Sequence, residues 1–210
     1  MKAVFLPGNK QVIVRDVPVP EPGDDEVLIQ VKASCICRSD LSLYYGNAVV
    51  GGAAAGKCIT GHEPAGVITK IGSGVKWFKP GDRVAAYLAI GCGVCAFCRM
   101  GNYHLCPNWT CLGFTAHGGN AEFLTLPERN CLRISDSMSF VAAAVSTDAF
   151  GTLYSAAKKL MISGSSTVGI WGLGPMGTSG VLVAKALGAR VVALDPIAAR
   201  RSFADRKSVV

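Results

Sequence analysis

The sequence predicts two architectures in series. Residues 1–150 read as a β-rich α+β body with its strands in a partly open barrel or sandwich, and residues 151–210 as a parallel βαβ unit of the α/β class. Three observations predict this. Short alternating or apolar runs punctuated by Gly and Pro fill the first part. An Ala-rich stretch follows them. From about residue 165 the order becomes strand, Gly-rich turn, helix, strand. With 210 residues, 50% hydrophobic and 17% charged, the chain can bury a core and does not resemble a disordered one.

The strands expected in the first part are 26–34 (EVLIQVKAS), 65–72 (AGVITKIG), 82–90 (DRVAAYLAI) and 121–127 (AEFLTLP). Turn signals separate them: Pro22-Gly23, Gly72-Ser73-Gly74, Pro80-Gly81 and Gly118-Gly119. Residues 139–160 are expected to be helical, with a break near 148–151. Beyond them Val168–Trp171 is a strand, 175–187 a helix, and a second strand ends at Asp195. The turn between is Gly172-x-Gly174-x-x-Gly177. A bare GxGxxG is weak evidence, but here it has its strand before it, its helix after it, and an acid, Asp195, closing the second strand. That context predicts a Rossmann-type dinucleotide turn. The glycines admit a pyrophosphate at the helix N-terminus, and Asp195 accepts hydrogen bonds from ribose hydroxyls. The negative charge of Asp195 favours NAD over NADP.

Four of the nine cysteines, Cys92, Cys95, Cys98 and Cys106, crowd into one short loop. A disulfide knot and a metal clamp compete for this pattern. MKAVFLPGNKQ is too short an apolar start for a secretory signal, so a cytoplasmic location is expected, and in a reducing cytosol clustered thiols are metal ligands. Iron–sulfur runs want two or three residues between ligands, which the step to Cys106 breaks. Four thiolates make a closed tetrahedral zinc site. Cys35, Cys58, Cys111 and Cys131 read as small buried hydrophobes, and His104 and His117 as surface or loop residues.

Net charge is +7, but the cations are dispersed and no aromatic residues interleave with them, so nucleic acid is not an expected partner. No run of about 18 uncharged apolar residues predicts a membrane span.

Two further motifs complete the pattern: Cys37-Arg38-Ser39-Asp40-Leu41, and Gly61-His62-Glu63-x-x-Gly66-x5-Gly72. Together with the four-cysteine loop and the dinucleotide turn, the chain resembles the zinc-dependent medium-chain alcohol and polyol dehydrogenases from residue 1 to about 195. The resemblance implies a GroES-like catalytic domain beside a Rossmann domain, two zinc ions per chain, NAD, a small alcohol or carbonyl substrate, and a homo-oligomer. It assigns Cys37, His62 and Asp148 to the catalytic zinc, and Cys92, Cys95, Cys98 and Cys106 to a structural one. It places Ser39 where the alcohol's proton is taken, Asp40 behind His62, Glu63 beside the ion, and Arg38 near the cofactor pyrophosphate. A helix N-cap before Ala149 is the alternative for Asp148.

The chain departs from that family in two places. Ser42 stands where many members carry a histidine at the outer end of a proton relay, so a shorter or water-borne route is expected. The nucleotide fold also spans only about 46 residues, 165–210, where a doubly wound sheet needs about five βα units. The expectation is a product truncated within the Rossmann domain, with little hydride-transfer activity, an exposed strand edge, and at the limit a zinc-binding remnant without catalysis.

Overall fold

The computed structural model describes residues 1–47 and 55–207. The chain divides into two compact units, Met1–Val145 and Ser146–Val210.

The first unit opens with an antiparallel hairpin, β1 (Lys2–Gly8) and β2 (Gln11–Asp16). Asn9 and Lys10 both take left-handed φ, 51° and 62°, as a tight two-residue turn between twisted strands requires. Pro7 lies inside β1, where the pairing register shifts, so its missing N–H breaks no regular ladder. There follow β3 (Glu26–Cys35), α1 (Asp40–Tyr45), β4 (Glu63–Ile71), β5 (Arg83–Ala86) and β6 (Ala89–Ile90). The unit ends with α2 (Ala96–Arg99), β7 (Thr110–Cys111), β8 (Phe123–Pro127), β9 (Cys131–Arg133) and α3 (Phe140–Val145). Five strands form one sheet in the order β8-β3-β4-β5-β9, with β3 and β4 antiparallel at its centre. Val27, Ile29, Ile68, Val84, Leu112, Leu124 and Leu126 bury its apolar face.

The strand expected over 82–90 is two strands. The buried Asn130 explains the division: its Nδ2 donates to the carbonyls of Tyr87 (3.0 Å) and Ala89 (2.8 Å), and its own backbone carbonyl accepts from Tyr87 N (2.8 Å). The chain turns there, and β6 leaves the sheet to pair with β7. α3 starts where Ser139 Oγ accepts from Ala142 N at 3.1 Å, an N-cap bond.

The second unit begins with a π-helical turn, Ser146–Phe150, which runs straight into α4 (Gly151–Lys159). The break expected near 148–151 is therefore a widened helical turn, and Asp148 lies within it. β10 (Thr167–Trp171), α5 (Pro175–Ala186), β11 (Arg190–Leu194) and α6 (Ala198–Lys207) complete the unit. β10 and β11 are parallel and in register, from Thr167 opposite Arg190 to Trp171 opposite Leu194. One face of this pair packs on Leu173, Val181 and Ala204, while Trp171, Val192 and Leu194 are exposed. Among the described residues no helix is long and apolar enough to cross a membrane.

Candidate functional site

The four-cysteine loop hangs from the β6–β7 pair. The Sγ atoms of Cys92, Cys95, Cys98 and Cys106 all lie within 4.8 Å of one another, and Cys92 and Cys98 are 4.0 Å apart. A tetrahedral zinc at about 2.3 Å from each sulfur sets its thiolates about 3.8 Å apart, so the donor set fits a closed four-thiolate zinc site. Cys95 caps α2 by accepting from Cys98 N at 3.5 Å, and Cys106 Sγ accepts from Cys92 N at 3.4 Å. The amides of Val94 and Cys95 draw the Cys92 thiol down to about 6, while burial pushes Cys98 up to about 12. The backbone amides thus favour the thiolate at Cys92, while burial favours the thiol at Cys98. Gly91 is obligatory, because a Cβ there would lie 2.6 Å from Cys98 Sγ. Arg129 ties the loop to the sheet, donating to Gly91 O (3.0 Å) and to Asp25 (2.6 Å). His104 is exposed beside the cluster and is no member of it.

A second cluster forms where β3 ends and β4 begins. Pairing of Cys35 with Glu63 brings the residues after one strand beside the start of the other. Cys37 Sγ, a ring nitrogen of His62 and a carboxylate oxygen of Glu63 lie within 4.8 Å of one another. Asp40, buried at the head of α1, holds both segments. Its Oδ2 accepts from Cys37 N at 2.9 Å, and its Oδ1 lies 3.5 Å from His62 Nδ1. That contact turns Nε2 toward Ser39 Oγ (3.3 Å) and Glu63 Oε1 (3.8 Å). The His62 side chain is 2% exposed and packs on the Phe114 ring, centroids 4.9 Å apart. A buried imidazole with a thiol and carboxylates around it is a cation-seeking donor set. Arg38 is exposed on the segment before α1.

In the second unit Asp148 is the third residue of the π-helical turn, half-buried, and its Oδ1 accepts from Thr152 Oγ1 at 3.2 Å. The residue at the N-cap of α4 is Phe150 and Asp148 lies inside the π-helical turn, so the N-cap alternative does not apply. The dinucleotide turn lies at the head of the 12-residue α5. Gly172 has φ +88°, and a Cβ on Gly177 would lie 1.7 Å from Gly172 O, so turn and helix meet backbone to backbone. Gly174 caps α5, with Pro175 in its first turn. The Asp195 side chain is 2% exposed; Leu173 N and Ile197 N each donate to it at 2.8 Å. Those amides hold its carboxyl below the usual range, so it is ionised at neutral pH, and Arg200 Nη1 stands 3.6 Å away.

Residues 23–136 match the family model described as the alcohol dehydrogenase GroES-like domain. The chain belongs to the zinc-type medium-chain alcohol dehydrogenase family. It is 37% identical over 218 residues to the Escherichia coli K12 protein named "Uncharacterized zinc-type alcohol dehydrogenase-like protein YphC", covering 100% of this chain and 62% of that one. Sorbitol dehydrogenase of Bacillus subtilis is 36% identical, with 99% and 59% covered. Acetophenone reductase of Geotrichum candidum NBRC 4597, solved in complex with NAD, superposes with a TM-score of 0.87 at 35% identity, covering 98% of this chain and 60% of that one. The chain therefore spans about 60% of the length of these relatives.

The glycines of the chain's G-H-E-x-x-G-x5-G element have separate reasons. Gly61 takes φ +91° just before His62. A Cβ on Gly66 would lie 2.1 Å from Gln30 O, and one on Gly72 would lie 1.9 Å from Gly23 O. The element is thus a turn residue, a close approach of β4 to β3 at Gly66, and a close approach at Gly72 to the loop before β3. Cys111 and Cys131 are buried as expected, whereas Cys35 and Cys58 are only half-buried. His117 is exposed and its Nδ1 accepts from Ile59 N at 3.1 Å. Phe114, Arg129 and Arg200 carried no sequence signal, because their partners are distant in the chain or unremarkable in type.

Proposed function

We propose that this chain carries the zinc-binding catalytic domain and the adenosine side of the dinucleotide site of an NAD-linked dehydrogenase. That enzyme oxidises a primary or secondary alcohol to the aldehyde or ketone. The observation that carries the reading is the meeting of Cys37, His62 and Glu63 donors within 4.8 Å. In this reading Cys37, His62 and Asp148 hold the catalytic zinc with Glu63 beside it, and the four-thiol loop holds a structural zinc. Thiolate, imidazole and carboxylate leave one tetrahedral position open for substrate. Zinc would supply the Lewis acidity that lowers an alcohol's pKa, and NAD would accept the hydride.

The chain's own residues do the rest. Ser39 Oγ takes the alcohol's proton, and with Ser42 in place of a histidine the proton leaves by a short route to water. Asp40 fixes the His62 ring through Nδ1. Gly172, Gly174 and Gly177 open the head of α5 to a pyrophosphate, with Arg38 meeting its charge, and Asp195 answers the ribose hydroxyls. Nine free cysteines support a reducing, cytoplasmic setting, and the exposed Trp171, Val192 and Leu194 support association of copies.

Two measurements test the reading. Purified protein is expected to hold two zinc ions per chain, and Cys37→Ala one. A parent with a single ion, or a Cys37→Ala protein that keeps two, sinks the assignment. NADH formation from a panel of primary and secondary alcohols is expected to be slight from this chain alone, and turnover of about 1–10 per second or more would overturn the expectation of little hydride transfer.

For cofactor choice, the ionised Asp195 is expected to make adenosine 5′-diphosphate bind about tenfold tighter than its 2′-phosphorylated counterpart, the size of one charge clash of about 1.4 kcal/mol. Equal binding would mean that Arg200 governs the pocket instead.

A further inference from the structure

Asn120 belongs to none of the residue sets described above, yet it sits at the junction of the two segments that deliver Cys37 and His62. We infer that Asn120 is a positioning residue whose carboxamide locks these segments together. The inference rests on the reading of Cys37 and His62 as metal ligands.

Ser34 lies on β3, just ahead of Cys37, and pairs in register with Pro64. Thr60 lies just ahead of His62 and is 1% exposed. Asn120 bridges them. Ser34 Oγ donates to Asn120 Oδ1 at 2.7 Å, Asn120 Nδ2 donates to Thr60 Oγ1 at 3.1 Å, and Thr60 Oγ1 donates to Val4 O at 3.3 Å. The donors all run one way. The Thr60 proton goes to a carbonyl, which has none to return, so its oxygen must accept from an N–H, and this sets the carboxamide's orientation.

The backbone adds its own registration, with Asn120 N donating to Thr60 O and Gly119 N to Gly61 O, both at 2.8 Å. The carboxamide also lies directly on the residue before His62, since a Cβ on Gly61 would be 2.5 Å from Asn120 Cγ. A side chain of similar volume without polar atoms keeps the backbone bonds and the packing but severs the Ser34–Thr60 link. The β3–β4 pairing and Asp40, 2.9 Å from Cys37 N and 3.5 Å from His62 Nδ1, still join the segments, but neither fixes the residue before His62 against Ser34. Partners that orient metal ligands typically change affinity about 10–100-fold when removed.

The test is zinc competition against a chelator on the 210-residue protein, with the two ions resolved by their release. Asn120→Leu and Thr60→Val are each expected to weaken the ion that Cys37→Ala removes by about tenfold or more. The four-thiol ion should keep its affinity, and Thr60→Ser, which restores the hydroxyl, should return to the parent. Parent-like affinity in both Asn120→Leu and Thr60→Val, with Cys37→Ala still losing that ion, overturns the inference. So does weakening of both ions alike, which reports a general loss of stability. If Cys37→Ala leaves both ions in place, the ligand assignment itself is what fails, and the inference falls with it.

Discussion

Cys98→Ala is expected to remove one zinc ion per chain and unfold residues 91–109, while the zinc that depends on Cys37 stays bound. The reason lies in what else holds this loop. Four of its apolar side chains point outward, Val94, Phe97, Met100 and Leu105 at 69%, 40%, 65% and 50% exposed, while Tyr103 rests on Tyr87 and Trp109 packs at the loop's end on Leu6, Leu43, Cys111 and Phe114. Only Cys98 and Cys106 are deeply buried among the four ligands. The loop has no hydrophobic core of its own, so a bound zinc would supply its folding energy, about 10–16 kcal/mol for comparable structural sites at neutral pH. Removing one thiolate would forfeit most of this, and Cys92, whose thiol the amides of Val94 and Cys95 already draw down, would lose its partner cation. Arg99, exposed at the end of α2, then becomes a tryptic site. Zinc analysis and limited trypsinolysis read the outcome together. A Cys98→Ala protein with the parent's zinc content, uncut at Arg99, would show that the loop folds by contacts this structure does not contain.

The four-thiol loop was legible in the sequence because its donors are local; spacing alone brings them together. The βαβ unit was legible for the same reason, since strand, glycine turn, helix and strand follow one another without interruption from Thr167 to Leu194. The Cys37–His62–Glu63 cluster is different. Its members meet through the register of β3 on β4, which no local spacing encodes, and only resemblance to a known motif pointed to them. What stayed hidden was set by single polar side chains acting at a distance. Asn130 divides the strand expected over 82–90 from the far side of the whole cysteine loop, and Asn120 reaches back past β4 and β5 to Thr60 and Ser34. The π-helical turn around Asp148 resembled a helix break, because Thr147, Asp148 and Gly151 all have low helix propensity.

Gly66→Ala is expected to lower the melting temperature by about 10 °C or more and to release the Cys37-dependent zinc. Gly66 lies in β4 opposite Val31, next to the register shift that crowds β3 against it. An added Cβ would lie 2.1 Å from Gln30 O and 2.8 Å from Ile29 Cγ2. The first atom is backbone, which has no rotamer to move into, so the strands must part. This is the central pair of the five-stranded sheet, and Ile29 is 1% exposed in its core, so parting them opens a cavity as well as breaking ladder bonds. The site suffers from the same movement. Cys35 opposite Glu63, at the far end of this pairing, is what brings Cys37 beside His62. A slip of one residue would turn Glu63 to the other face of the sheet. The four-thiol loop hangs from β6 and β7, outside this pair, so its zinc should outlast the other as temperature rises. Thermal melts with zinc release followed at both sites decide the matter. A Gly66→Ala protein that melts with the parent and keeps two ions would mean that the sheet absorbs the methyl group, and that the glycine of this element answers to something other than the close approach of β4 to β3.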